Sequence, residues 1–140
     1  MNNIKYIIFS IVALICVCLL IMTSCGEETN DDPLSSCTPA TVEQVVINYG
    51  TTSYSLDTKE LAAFFTLLVD LGTFTPDETL LGVDGDDFWS LKIQLKSGDQ
   101  LFVDISSPYV VVDGNGYKVD EDACTNLQHY IQGIVNTKIK

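Results

Sequence analysis

From Trp89 to Lys96 the chain alternates without a fault, with Trp89, Leu91, Ile93 and Leu95 apolar against Ser90, Lys92, Gln94 and Lys96 polar. A period of two fits a strand with one buried face. An antiparallel sheet covered on one side is the architecture this pattern asks for. Leu101, Val103 and Ile105 repeat the pattern in the next segment. A three-residue loop, Ser97-Gly98-Asp99, would set Leu95 against Leu101, Ile93 against Val103 and Leu91 against Ile105. That register also puts Lys92 opposite Asp104 on the outer face, a favourable cross-strand pair. A turn centred on Gly114-Asn115 would likewise pair Val112 with Tyr117 and Val110 with Val119.

The cover for the sheet is legible too. Val42 to Tyr49 reads as a strand, with Val45, Ile47 and Tyr49 on one side, and Ser53 to Leu56 as a short partner after the break at Gly50-Thr51-Thr52. Asp57 can then cap a helix, and Glu60 three residues on completes a capping box. Leu61, Phe64, Phe65, Leu68 and Leu71 recur behind it at helical spacing, and Gly72 is a natural stop. A second helix should begin near Asp120-Glu121-Asp122, where the helix dipole favours acidic residues, and end near Lys138 and Lys140. Its buried stripe is Cys124, Leu127, Ile131 and Ile134. The expected fold is α+β, an antiparallel β-sheet with two amphipathic helices packed on one face.

Upstream of this domain the chain is of another kind. Lys5 precedes an apolar run, Tyr6 to Met22, that ends at Thr23-Ser24-Cys25-Gly26. Seventeen residues lie at the short limit of a spanning helix, about 17–25 residues. The same segment has the positive start, apolar centre and small-residue finish of a signal peptide. Either reading keeps Lys5 on the cytoplasmic side and places the rest of the chain outside it.

Ser24-Cys25-Gly26 decides between them. These residues resemble the lipobox of bacterial lipoproteins, in which the cysteine is diacylated and becomes the new N-terminus. Met22 stands where that family usually has leucine. Cys25-Gly26-Glu27-Glu28 is also similar to the acidic tag of surface-exported lipoproteins of the Bacteroidota. The resemblance implies a lipoprotein signal peptide over residues 1–24, an acylated Cys25 carrying palmitate-type chains, and a cell-envelope location at the outer membrane or cell surface. Two acyl chains, at about 0.8 kcal/mol per buried CH₂, suffice for stable membrane anchoring. Residues 25–36, acidic and containing Pro33, then form a flexible tether, and residues 37–140 a single domain.

Charge narrows the choice of partners. The whole chain carries a net charge of −12, and its seven basic residues are all lysines. Loss of residues 1–24 removes Lys5 and no acidic residue, which leaves −13. Such a surface repels nucleic acid and anionic headgroups, and no arginine fork is present to clamp phosphate or carboxylate. It suits solubility, a basic protein partner or divalent cations.

Of the five cysteines, Cys16 and Cys18 leave with the leader and Cys25 is the lipid site. Cys37 and Cys124 remain, an even pair in an oxidising compartment, and read as one disulfide worth about 4–5 kcal/mol on the chain-entropy model.

Candidate chemistry is sparse. His129 is the sole histidine and falls on the polar side of the last helix with Thr125, Gln132 and Asn136. Neither GxSxG nor HExxH occurs. Asp84, Asp86 and Asp87 in one turn and Asp113 in another are weak Ca²⁺ candidates, since neither turn has the EF-hand spacing or its closing glutamate. Asp-Gly and Asn-Gly are equally the residues that tight hairpin turns demand. Phe88, Phe102 and Tyr109, with Val111, fall on the outer side of the sheet as a candidate partner patch. No cofactor is implied. The resulting expectation is a lipid-anchored envelope protein acting as a non-enzymatic binding or structural module. The alternative is an inhibitor or immunity-type protein neutralising a basic partner.

Overall fold

A computed structural model describes residues 32–80 and 88–139. The described chain forms β1 (Val42–Tyr49), β2 (Thr52–Ser55), α1 (Thr58–Val69), β3 (Thr75–Pro76), a single 3₁₀ turn at Glu78–Leu80, β4 (Trp89–Leu95), β5 (Gln100–Ser106), β6 (Tyr109–Val112), β7 (Asn115–Lys118) and α2 (Glu121–Lys138). All strands join one antiparallel sheet in the order β2-β1-β4-β5-β6-β7-β3. Both helices pack on one face, so the α+β architecture is as the periodicities require.

Local chemistry sets the helix ends. The Asp57 side chain accepts hydrogen bonds from the backbone N–H groups of Lys59 and Glu60, while Glu60 reaches back to accept from the Asp57 N–H at 2.7 Å, completing the capping box. Those N–H groups hold the Asp57 carboxyl below its ordinary range, the Glu60 bond most of all. Asp120 caps α2 in the same way, accepting from the Ala123 N–H at 2.9 Å. Past α1 the chain turns at Gly72, whose φ of +70° suits a residue without a Cβ.

Facing the sheet, α1 contributes Phe64, Phe65 and Leu68 and α2 contributes Cys124, Leu127, Ile131, Ile134 and Val135. They meet Val45 and Ile47, Leu91 and Ile93, Val103 and Ile105, and Val110 and Val112, from β1, β4, β5 and β6, in one core. Each large side chain removed from water there contributes about 1.5–3 kcal/mol. The two helices are tied at their ends. The Tyr130 hydroxyl donates to the Glu60 carbonyl at 2.9 Å, and Lys138 Nζ reaches both the Glu60 carboxylate (2.9 Å) and the Ser55 carbonyl (2.7 Å). Leu34 is also buried in this core, so the fold takes in residues upstream of Cys37 that the sequence places in the tether.

Both hairpin registers differ from expectation by two residues. Across β4 and β5 the pairs are Ile93 with Leu101, Leu91 with Val103 and Trp89 with Ile105. The loop does hold three residues, but they are Lys96-Ser97-Gly98: Leu95 and Asp99 close it, and Gly98 takes the positive φ (+100°) that ends such a loop. Across β6 and β7 the pairs are Val112 with Asn115 and Val110 with Tyr117. Here Asp113 (φ 48°) and Gly114 (φ 84°) form the two-residue turn, with positive φ at both positions. A shift of two leaves every side chain on its original face, so alternation alone could not detect it. As a consequence Lys92 lies opposite Phe102, and Asp104 opposite Ser90.

The disulfide expectation is overturned. Cys37 and Cys124 are buried free thiols. Cys124 Sγ points at the Tyr109 carbonyl (3.9 Å), at the start of β6. Cys37 is buried in the same core from the segment before β1. Burial pushes the Cys124 thiol up to about 11 and raises that of Cys37 as well.

Candidate functional site

Among the described residues, the face of the sheet opposite the helices leaves side chains of β2, β1, β4 and β5 uncovered. Its outward positions on β2, β1, β4 and β5 fall into three rows that run across the strands. One row is Ser53, Asn48, Ser90 and Asp104; the middle row is Ser55, Val46, Lys92 and Phe102; the third is Gln44, Gln94 and Gln100. Neighbouring strands lie about 4.8 Å apart and successive rows, two residues along the strand, about 7 Å.

Cross-strand hydrogen bonds hold the polar rows in place. Ser53 Oγ donates to Asn48 Oδ1 (2.9 Å) and Ser90 Oγ to Asp104 Oδ1 (2.6 Å). On the other side Gln100 Nε2 donates to Gln94 Oε1 (2.7 Å), and Gln44 Nε2 to Ser55 Oγ (2.8 Å). Gln94 Nε2 also donates to the Gly98 and Asp99 carbonyls (3.2 and 3.3 Å), which leaves Gln94 an acceptor lone pair, while the Gln44, Gln100 and Asn48 amides keep both donor and acceptor capacity for solvent or a ligand.

Between the polar rows runs an apolar strip. Val46, the aliphatic stem of Lys92 and the Phe102 ring follow one another across β1, β4 and β5. Phe102 is 54% exposed. Its backbone is pinned by Asp113, whose carboxylate accepts from the Phe102 N–H at 2.9 Å and whose own N–H donates to the Phe102 carbonyl at 2.9 Å. The Phe102 backbone is therefore held at a fixed point in the row, beside the half-buried Lys92 and Val46.

In the regular ladder of these four strands Lys92 and Asp104 are the outward charges, one of each sign. Negative charge also collects at the helix starts, at Asp57 and Glu60 for α1 and at Asp120, Glu121 and Asp122 for α2. Among the described residues the three rows are thus balanced in charge, with the exposed carboxylates Glu43, at the β1 bulge, and Asp113, beside Phe102, at their margins.

Of the residues expected in a partner patch, Phe88 and Tyr109 come together and Phe102 does not join them. Phe88 directly precedes Trp89, which pairs with Ile105, and Tyr109 pairs with Ser106, so both sit at one end of the sheet. Phe102 lies toward the other end, beyond Asp104. Val111 is buried rather than exposed. It pairs with Gly116, against which the 3₁₀ turn packs through Leu80 and the Asp77 carbonyl.

The remaining candidates are placed as follows. His129 is exposed on α2. Asp113 serves the β6–β7 turn through its bond to Phe102. Asp84, Asp86 and Asp87, like residues 1–31 with Cys25, lie outside the described residues. Among the described residues no three His, Cys, Asp or Glu side chains converge as a metal site. A separate apolar groove of about 510 Å³ runs beside α1, lined by Pro39, Val42, Leu61, Phe65 and Val69.

The amide rows were missed at the sequence level, although a signal for them existed. The polar members of the alternating segments are mostly Gln, Asn and Ser, not the Asp and Glu that dominate the rest of the chain. No protein family, curated protein or solved structure matches this chain.

Proposed function

We propose that this protein is a lipid-anchored component of the cell envelope, at the outer membrane or cell surface, whose folded domain works by binding and not by turnover. The observation that carries this reading is the segment Lys5–Gly26, an apolar run that stops at an acylatable cysteine between small residues. Diacylation at Cys25 would hold the domain at the membrane, and the seven chain steps from Cys25 to Asp32 allow it to stand off by at most about 24 Å.

Metabolic labelling with a palmitate analogue tests this. The wild type is expected to take up label and fractionate with membranes, while Cys25→Ala stays unlabelled and migrates as the larger species that keeps its leader. An unlabelled wild type refutes the reading.

A second reading, neutralisation of a basic partner, is favoured by the acidic run Asp120-Glu121-Asp122 at the start of α2, whose side chains are exposed. Binding of that kind weakens steeply with salt, because steering and complementarity act through screened charge.

A further inference from the structure

We propose that the outer sheet face is a binding site for a neutral oligosaccharide, laid across the strands over the strip from Val46 to Phe102. The proposal rests on the reading of this domain as a binding module and supplies its ligand class.

Three features of the face point to that chemistry. The first is charge. A site for a basic peptide should concentrate the carboxylates of this chain, yet among the described residues the three rows hold one acid, Asp104, and one base, Lys92, with Glu43 at the β1 bulge and Asp113 beside Phe102 at their margins. A neutral ligand meets no Coulombic cost there, whereas an ionic one gains no complementary field. The second is the order of the rows. A pyranose has an apolar C–H face and a rim of hydroxyls, each both donor and acceptor. The middle row offers an aromatic ring, 54% exposed, and aliphatic surface for the C–H face. The rows on either side offer amides and hydroxyls, which can give and take hydrogen bonds in the pattern that sugar hydroxyls need. The third is preorganisation. The Gln100–Gln94 and Gln44–Ser55 bonds already fix these side chains, and Asp113 fixes the backbone of Phe102. Less rotamer freedom is then lost when the ligand docks.

The same geometry sets the expected behaviour. The face is open and shallow, so affinity should grow with the number of sugar units that reach across successive strands, about 4.8 Å apart. Binding should also be nearly independent of salt, because no net charge is neutralised.

The detergent-solubilised full chain, titrated by calorimetry with cellohexaose, xylohexaose, mannohexaose and maltohexaose, tests the proposal. Saturable binding of at least one hexaose is expected, weakened at least roughly tenfold by Phe102→Ala and by Gln94→Ala. Val69→Ala, which alters exposed apolar surface in the α1 groove, should leave it unchanged. Should Phe102→Ala melt early, Gln94→Ala and Gln100→Ala, both at surface positions, carry the test. The proposal is overturned if none of the four sugars binds, if binding ignores the row substitutions, or if an oligolysine peptide occupies this face in a salt-sensitive way. Palmitate labelling reports separately. A labelled protein that binds no sugar sinks the ligand assignment alone, and an unlabelled protein that binds sugar sinks the anchoring alone.

Discussion

Gly116→Ala should be among the most damaging single-methyl additions in this fold. Gly116 sits in β7 opposite Val111, and the 3₁₀ turn at Glu78–Leu80 lies directly on it. A Cβ built there would overlap Leu80 Cβ and come within 2.8 Å of the Asp77 carbonyl oxygen. Neither neighbour is the free end of a flexible side chain, so the turn itself has to lift. Lifting would strain the 2.8 Å bond from the Asp77 N–H to the Gly116 carbonyl and open water to Val111. Overpacking of this kind costs about 1–3 kcal/mol. For a domain near 100 residues each kcal/mol shifts Tm by about 4–8 °C, so a fall of about 5–20 °C is expected in a circular dichroism melt. Gly133→Ala is the internal control. Gly133 lies within α2, and a Cβ there meets nothing within 4 Å. Replacing a helix-interior glycine in open space should stabilise by about 0.5–1 kcal/mol. If Gly116→Ala melts at or above the wild type while Gly133→Ala behaves as stated, the packing of the turn on β7 is wrong.

Two further predictions concern the thiols. Alkylation of the denatured chain without reductant should add mass at both Cys37 and Cys124, whereas a requirement for reductant would restore the disulfide. In alkaline solution the buried thiols should weaken the fold. The unfolded chain releases the Cys124 proton near its ordinary 9.0 and the folded chain only near about 11, so this contribution is intact below pH 9 and is lost as pH rises through that window. The slope is at most about 1.4 kcal/mol per pH unit for that thiol. Urea melts of Cys124→Ala across the same range should lack it, and equal slopes in the two proteins would refute the assignment.

Much of the architecture was legible in the residues because the deciding terms were local. Strand and helix periods separate on one-dimensional pattern alone, and Asp57 with Glu60 states where α1 starts. The polar side of α2, with His129 outward, follows from the same 3.6-residue period. The candidate site was less legible. A side chain's face can be read from alternation, but its neighbours in the next strand depend on register, which sets Lys92 opposite Phe102.

What the sequence by itself determined is the main strands and both helices with their buried faces, but not β3 or the 3₁₀ turn at Glu78–Leu80. What only the tertiary structure decided is which groups meet. Alternation repeats every two residues, so a hairpin displaced by two buries the same atoms; the positive φ of Gly98, Asp113 and Gly114 broke that tie. The pairing of cysteines was undecidable for a similar reason. Their even count says nothing of distance, and in the fold both are buried as free thiols. The apolar strip from Val46 to Phe102 exists because β1, β4 and β5 lie side by side, and strand order is a property of the whole fold, not of any one segment.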